Sequence, residues 1–124
     1  MRRPACVLAL LCAAGCTGLE LPAVDPLISG TVVARGAWLS SPSEEASVHV
    51  KEALDDPCGI IFGVGSRTVV VRRNEDGRLE RARLTDVAVG DSVRVWAGGL
   101  AESCPGQSYT EFIEIVAMRE GHGT

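Results

Sequence analysis

Apolar and polar residues alternate most cleanly over residues 47–52, where Val48 and Val50 fall on one face and Ser47, His49 and Lys51 on the other. A period of two is the signature of a half-buried strand. The same period returns at residues 92–97, with Val93, Val95 and Ala97 set against Ser92, Arg94 and Trp96. Three further runs are β-rich: 27–35, with Ile28, Val32 and Ala34 available to one face; 58–64; and 67–73. Residues 110–118 supply a closing strand that carries Ile113 and Ile115 inward.

Turn chemistry separates these runs. Asn74-Glu75-Asp76-Gly77 predicts a hairpin in which Gly77 supplies a positive φ. The charged residues 79–84 then return as an edge strand. Residues 85–89 predict one helical turn, and Gly90-Asp91 a tight turn. Gly30 offers a bend inside the first strand. Residues 40–46 and 100–109 read as loops. Short strands at near-regular spacing with Gly turns predict an all-β fold, a small five-to-six-stranded OB-like barrel over residues 27–118, with 119–124 as a tail.

The N-terminus has a different pattern. Arg2 and Arg3 precede an apolar run over residues 5–14. Ten residues at 1.5 Å each cannot cross a bilayer core of about 30 Å, but they suit the centre of a signal peptide. The run ends Ala13-Ala14-Gly15-Cys16, which resembles the lipobox of bacterial lipoproteins although Ala13 stands where Leu is usual. The expectation is a lipoprotein signal peptide over 1–15, a lipidated Cys16, and a Pro-punctuated tether over 16–26. An ordinary cleaved signal or an uncleaved anchor, with Cys16 a spectator, is the alternative. Thr17, not Asp, follows the cysteine. By that resemblance the anchor favours the outer membrane facing the periplasm.

Charge narrows the partners. The chain carries −4, and removal of Arg2 and Arg3 leaves −6. Binding to nucleic acid draws its affinity from cations set against phosphates, so no nucleic-acid partner is expected.

The segment 87–115 resembles the C-terminal half of the YobA-like family of small bacterial envelope lipoproteins of unknown function, through Gly90, Asp91, Val93, Val95, Trp96, Gly99, Glu102, Ser103, Pro105, Gln107, Ile113 and Ile115. Cys104 stands where that pattern carries an aromatic. The resemblance implies an OB-like barrel, often lipid-anchored, and transfers no catalytic residue.

Candidate chemistry is sparse. Once Cys6 and Cys12 leave with the signal and Cys16 is lipidated, Cys58 and Cys104 remain, and an oxidising compartment favours a disulfide between them. Two free thiols or a redox pair are the alternatives. With His49 they match no zinc spacing, so no metal and no cofactor is expected. The glycines of residues 63–68 superficially resemble a phosphate loop, but a strand follows where a helix is needed. Glu52, Asp55 and Asp56 read as a solvated acidic loop. Trp96 either packs under the 100–109 loop or serves with Glu102, Gln107 and Tyr109 as a binding surface. No catalytic constellation is found. The expected function is a non-catalytic envelope binding or assembly module, anchored to the membrane by lipid, with an envelope protein or glycan as partner and a recognition surface that includes the 40–46 and 100–109 loops, analogous in position to loops that OB barrels use. A thiol-disulfide or other small envelope enzyme and a purely structural lipoprotein are the competing classes.

Overall fold

The computed structural model describes residues 19–36 and 46–117. Cys16, the signal segment, Trp38, the loop expected at 40–46 up to residue 45, and the C-terminal tail lie outside the described residues.

Seven strands form one sheet that closes on itself: β1 (Ile28–Gly36), β2 (Ala46–Lys51), β3 (Ile60–Val64), β4 (Val69–Arg73), β5 (Leu79–Arg81), β6 (Ser92–Ala101) and β7 (Gly106–Ala117). The order is β3-β2-β1-β6-β7-β4-β5, and an additional β3–β7 pairing closes β1, β2, β3, β7 and β6 into a five-stranded barrel. The protein is an all-β, OB-like barrel, with the β4–β5 hairpin extending the sheet beyond it. A 3₁₀ turn, Leu84–Asp86, precedes β6; it begins one residue before the helical turn expected at 85–89 and ends three residues earlier.

The barrel is filled mainly by valine: Val32, Val48, Val50, Val64, Val93 and Val95 pack with Phe62, Ile113 and Ile115 in one buried cluster. Branched side chains suit this interior because a pleated strand holds them in one rotamer against their neighbours. Gly30 belongs where the end of β2 crosses β1, since a Cβ there would overlap the Lys51 carbonyl. The pairing of β1 with β2 slips between Val32 and Ala34, so Ala34 emerges exposed instead of sharing the inner face of Val32. The bulge reverses the in–out parity of β1 from there on.

The largest difference from the sequence reading lies at residues 100–109. β6 continues to Ala101 and β7 begins at Gly106, which leaves only residues 102–105 as a loop. Nothing local marks Gly106-Gln107-Ser108-Tyr109 as a strand. It is held from both sides, by β3 (Ile60↔Gly106, Gly63↔Tyr109) and by β6 (Leu100↔Ser108, Ala101↔Gln107).

Gly90 takes a φ of +100° in the predicted turn. Asp91 is buried, and its carboxylate accepts from the Ala88 N–H at 2.9 Å. The turn is tied to β1 by Gly90 N–H to Val32 O (2.8 Å) and Val32 N–H to Asp91 O (2.9 Å). The Gly-Asp pair is therefore structural.

A candidate binding face on β2, β3 and β7

Strand pleating sorts side chains into two faces, and register decides which outward residues meet. β2 runs antiparallel to β3, and β3 parallel to β7, so His49, Ile61 and Gln107 form one row and Ser47, Gly63 and Tyr109 the next. Inward neighbours Val48, Val50 and Phe62 are buried, whereas His49, Ile61 and Gln107 are half-buried and Tyr109 is 53% exposed. Gly63 contributes no side chain, so the second row is flat at its middle. Ser47 is less outward than its parity suggests: it is buried, and its hydroxyl donates to Gly36 O at 2.6 Å.

Both ends of this face are framed by chain reversals. At one end the His49 Nε2–H donates to Cys58 O at 2.8 Å, fixing the ring against the β2–β3 loop. Asp56 orders that loop by accepting from the Cys58 N–H at 2.9 Å and the Gly59 N–H at 3.3 Å. Cys58 is joined to Cys104 on the β6–β7 tip by a disulfide with a Cα–Cα distance of 4.7 Å. Cys58 is half-buried and Cys104 exposed. Glu102 sits exposed on the same tip, beyond the Ala101–Gln107 pair, and Ser103 donates to Pro105 O at 2.7 Å.

At the other end β7 passes from one parallel neighbour to the next. Gly63 pairs with Tyr109 and Val69 with Phe112, so the chain between β3 and β4 arches away from Thr110 and Glu111. The arch is a turn closed by Thr68 N–H to Gly65 O (3.0 Å) and Gly65 N–H to Thr68 Oγ1 (3.1 Å). The Thr68 hydroxyl in turn donates to Thr110 O at 3.0 Å. What remains is a notch of about 430 Å³ lined by Gly65, Ser66, Arg67, Thr68, Tyr109, Thr110 and Glu111, within the size range of small-molecule sites. Thr110 Oγ1 is buried there without a hydrogen-bond partner.

Of the sequence-proposed binding residues, the fold brings Gln107 and Tyr109 onto one face and sets Glu102 at its end. Trp96 lies elsewhere. It is 5% exposed, on the β6–β7 surface beyond the barrel closure, edge-to-face with Phe112 at 5.5 Å. Its cover is the N-terminal segment and not the 100–109 stretch: the indole N–H donates to Val24 O at 2.8 Å, and the Leu27 N–H reaches Val95 O at 2.8 Å. Residues of the expected tether thus lie strapped across Trp96. Ser66, Arg67 and Glu111 carry no binding signature in the sequence, since their meeting depends on two parallel pairings that leave no local mark.

Among the described residues no three His, Cys, Asp or Glu side chains are placed to hold a metal ion, and no helix is long and apolar enough to cross a membrane. Residues 59–117 match a family described as a protein of unknown function, DUF3221. The match spans β3 through β7, and therefore includes the notch and the Tyr109 side of the face. No curated protein and no solved structure matches the chain.

Proposed function

We propose that this chain is a non-catalytic lipoprotein of the cell envelope, of the YobA-like kind, whose OB-like barrel binds an envelope protein or glycan across β2, β3 and β7. One observation supports the reading: the half-exposed Tyr109 stands beside Gln107 on a face bounded by the β2–β3 loop and β6–β7 tip at one end and the β3–β4 turn at the other. An exposed aromatic next to hydrogen-bonding groups gives contact area at small entropic cost. The lipobox-like Ala13-Ala14-Gly15-Cys16 supports anchoring in the envelope, and Thr17 in place of Asp after the cysteine favours the outer membrane facing the periplasm. The acidic balance of the chain disfavours nucleic acid.

The test is capture from solubilised envelope by the full chain held in detergent, against Tyr109→Ala and Gln107→Ala. Both positions are outward, so the variants keep the barrel. A protein or glycan retained by the parent and lost with Tyr109→Ala is the expected result. Equal retention by parent and variants would move the site off this face.

A second reading, a thiol-disulfide protein, is favoured by the exposure of Cys104. A thiolate must reach one sulfur in line to exchange. Reduction of the bridge by mild glutathione buffers, with return of the oxidised form, would favour that reading. A bridge that persists until the barrel unfolds would remove it.

A further inference from the structure

Large apolar side chains left in water are unevenly placed on this barrel. Among the described residues Val24, Leu27, Leu54, Val89, Leu100 and Tyr109 are exposed. Val89 stands on the turn into β6 and Tyr109 on the side face, while the other four gather at the end opposite Val89. β1 begins there, directly after Leu27. A Cβ on Gly30 would overlap the Lys51 carbonyl and lie 3.1 Å from the Glu52 Cα, so the β2–β3 loop that carries Leu54 turns at the same end. The Cys58–Cys104 bridge joins that loop to the β6–β7 tip. Leu100 stands at the base of the tip, its Cδ1 3.2 Å from where a Cβ on Gly106 would lie. Val24 is held alongside by its carbonyl, which accepts the Trp96 indole N–H while the side chain stays 70% exposed.

Apolar residues scattered singly over a surface need no partner. These four come from three separate segments, and they share the end at which the chain arrives from Cys16. The stretch from Cys16 to Pro22 reaches at most about 20 Å. With lipid on Cys16, the bilayer is the apolar surface held within that reach, and anchoring raises its effective concentration so that a few side chains suffice. We infer that this end of the barrel rests on the bilayer, with Val24, Leu27, Leu54 and Leu100 entering the interface. This rests on the proposal that the chain is a lipoprotein anchored at Cys16. Charge selects the lipid. Asp25, Glu52, Asp55 and Glu102 are exposed at the same end, where Lys51 is the one cation among the described residues. An anionic surface would repel this set across a Debye length, so the surface that fits is electrically neutral, zwitterionic phospholipid.

The experiment places the full chain, as isolated from membranes, in phosphatidylcholine vesicles whose acyl chains carry a photoactivatable diazirine, and maps the labelled residues by mass spectrometry. The N-terminal peptide reports first whether Cys16 is acylated; an unmodified Cys16 defeats the anchor and the inference together. Labels are expected on Val24, Leu27, Leu54 and Leu100, and none on the β4–β5 hairpin. Leu54→Gln combined with Leu100→Gln should cut labelling of the β2–β3 loop and the β6–β7 tip about fivefold, the effect of losing part of the buried apolar area. Both side chains are exposed, so the unfolding midpoint should stay where it is. Replacing half of the lipid with phosphatidylglycerol should lower labelling about twofold, and added salt should restore it. An acylated chain labelled only before Pro22, or labelled evenly over the barrel, overturns the inference and leaves the anchor standing. Cross-links between chains at Leu54 or Leu100 would assign the patch to a second copy and overturn it too. Labelling that grows with phosphatidylglycerol overturns the choice of neutral lipid.

Discussion

Asn74 shows how much one side chain can decide. Its Oδ1 accepts from the N–H groups of Asp76 and Arg78, both at 2.9 Å, while its Nδ2–H donates to Glu80 Oε2 at 3.1 Å. Gly77 completes the turn at a φ of +83°, as four consecutive letters of sequence predicted. The Asn74 amide is the main cause that holds the exposed Glu80 carboxyl below its ordinary 4.5, ahead of Arg72 and Arg78 and against a smaller opposing effect of desolvation. A carboxyl lowered in the folded state stabilises above its unfolded pKa, and that contribution is lost as pH falls through the folded value. Asn74→Ala should return the Glu80 midpoint toward 4.5 in an NMR-followed titration; an unmoved midpoint would reassign the cause to the arginines. The two turn amides would lose their acceptor together, for about 1–2 kcal/mol in urea unfolding. Such a turn is legible because all its partners lie within six residues. The partner of the Trp96 indole lies 72 residues away, and nothing in the letters near Trp96 announces it.

Among elements, β7 decides the architecture. One edge pairs with β6 along its length, and the other pairs in turn with β3 and β4, both parallel. Alternation made β2 and β6 readable, because each has one dry face and one wetter face. β7 was readable only over its apolar second half; its first half is polar and is defined by its neighbours. The same strand buries Glu114 completely, with Arg73 from β4 on one oxygen and Arg94 from β6 on the other. Outward parity alone would have placed this carboxylate in water. The arginine side chains are 36% and 44% exposed, so the two sides of the cluster are not equivalent. Removing the carboxylate leaves cations that can turn to solvent, whereas removing an arginine leaves part of a buried anion unserved. Arg73→Met is therefore expected to cost about 3 kcal/mol and Glu114→Gln about 1–2 kcal/mol in urea unfolding. A larger loss for Glu114→Gln, which keeps the side-chain shape and removes the charge, would show that the two arginines depend on the carboxylate and do not turn to solvent. At a second seam, the Cys58–Cys104 bridge ties the β2–β3 loop to the β6–β7 tip across 46 residues. Reduction should lower stability by about 4 kcal/mol, read as a shift of the unfolding midpoint with and without reductant.

Over the whole molecule, the strap across Trp96 bears on the proposed lipid anchor, because it fixes where the chain leaves the barrel. Composition and spacing made the N-terminal segment read as a plain tether, because Pro22, Asp25 and Pro26 interrupt any period. Its docking depends on a backbone carbonyl meeting an indole, which pattern reading does not see. With Cys16 as the proposed anchor, the chain from residue 16 to residue 22 reaches at most about 20 Å. The strap withholds the residues after that, so the Trp96 side of the barrel is kept near the bilayer. Tyr109 and the notch lie on the adjoining β3–β7 surface. Trp96→Phe tests the latch: it removes the N–H that Val24 O accepts and keeps a ring against Phe112. Loss of one such bond is worth about 1 kcal/mol. Hydrogen exchange at the Leu27 amide, bonded to Val95 O beside the latch, should then speed up about fivefold. Global stability should fall far less than with Trp96→Ala, which vacates a buried aromatic site at about 3–5 kcal/mol. In vesicles carrying the lipidated chain, energy transfer from a dye on the barrel to the bilayer surface should weaken in Trp96→Phe, as the released residues lengthen the leash. Unchanged exchange at Leu27 would mean that the strap is held by its prolines and the β1 pairing alone, and the membrane distance would then not depend on Trp96.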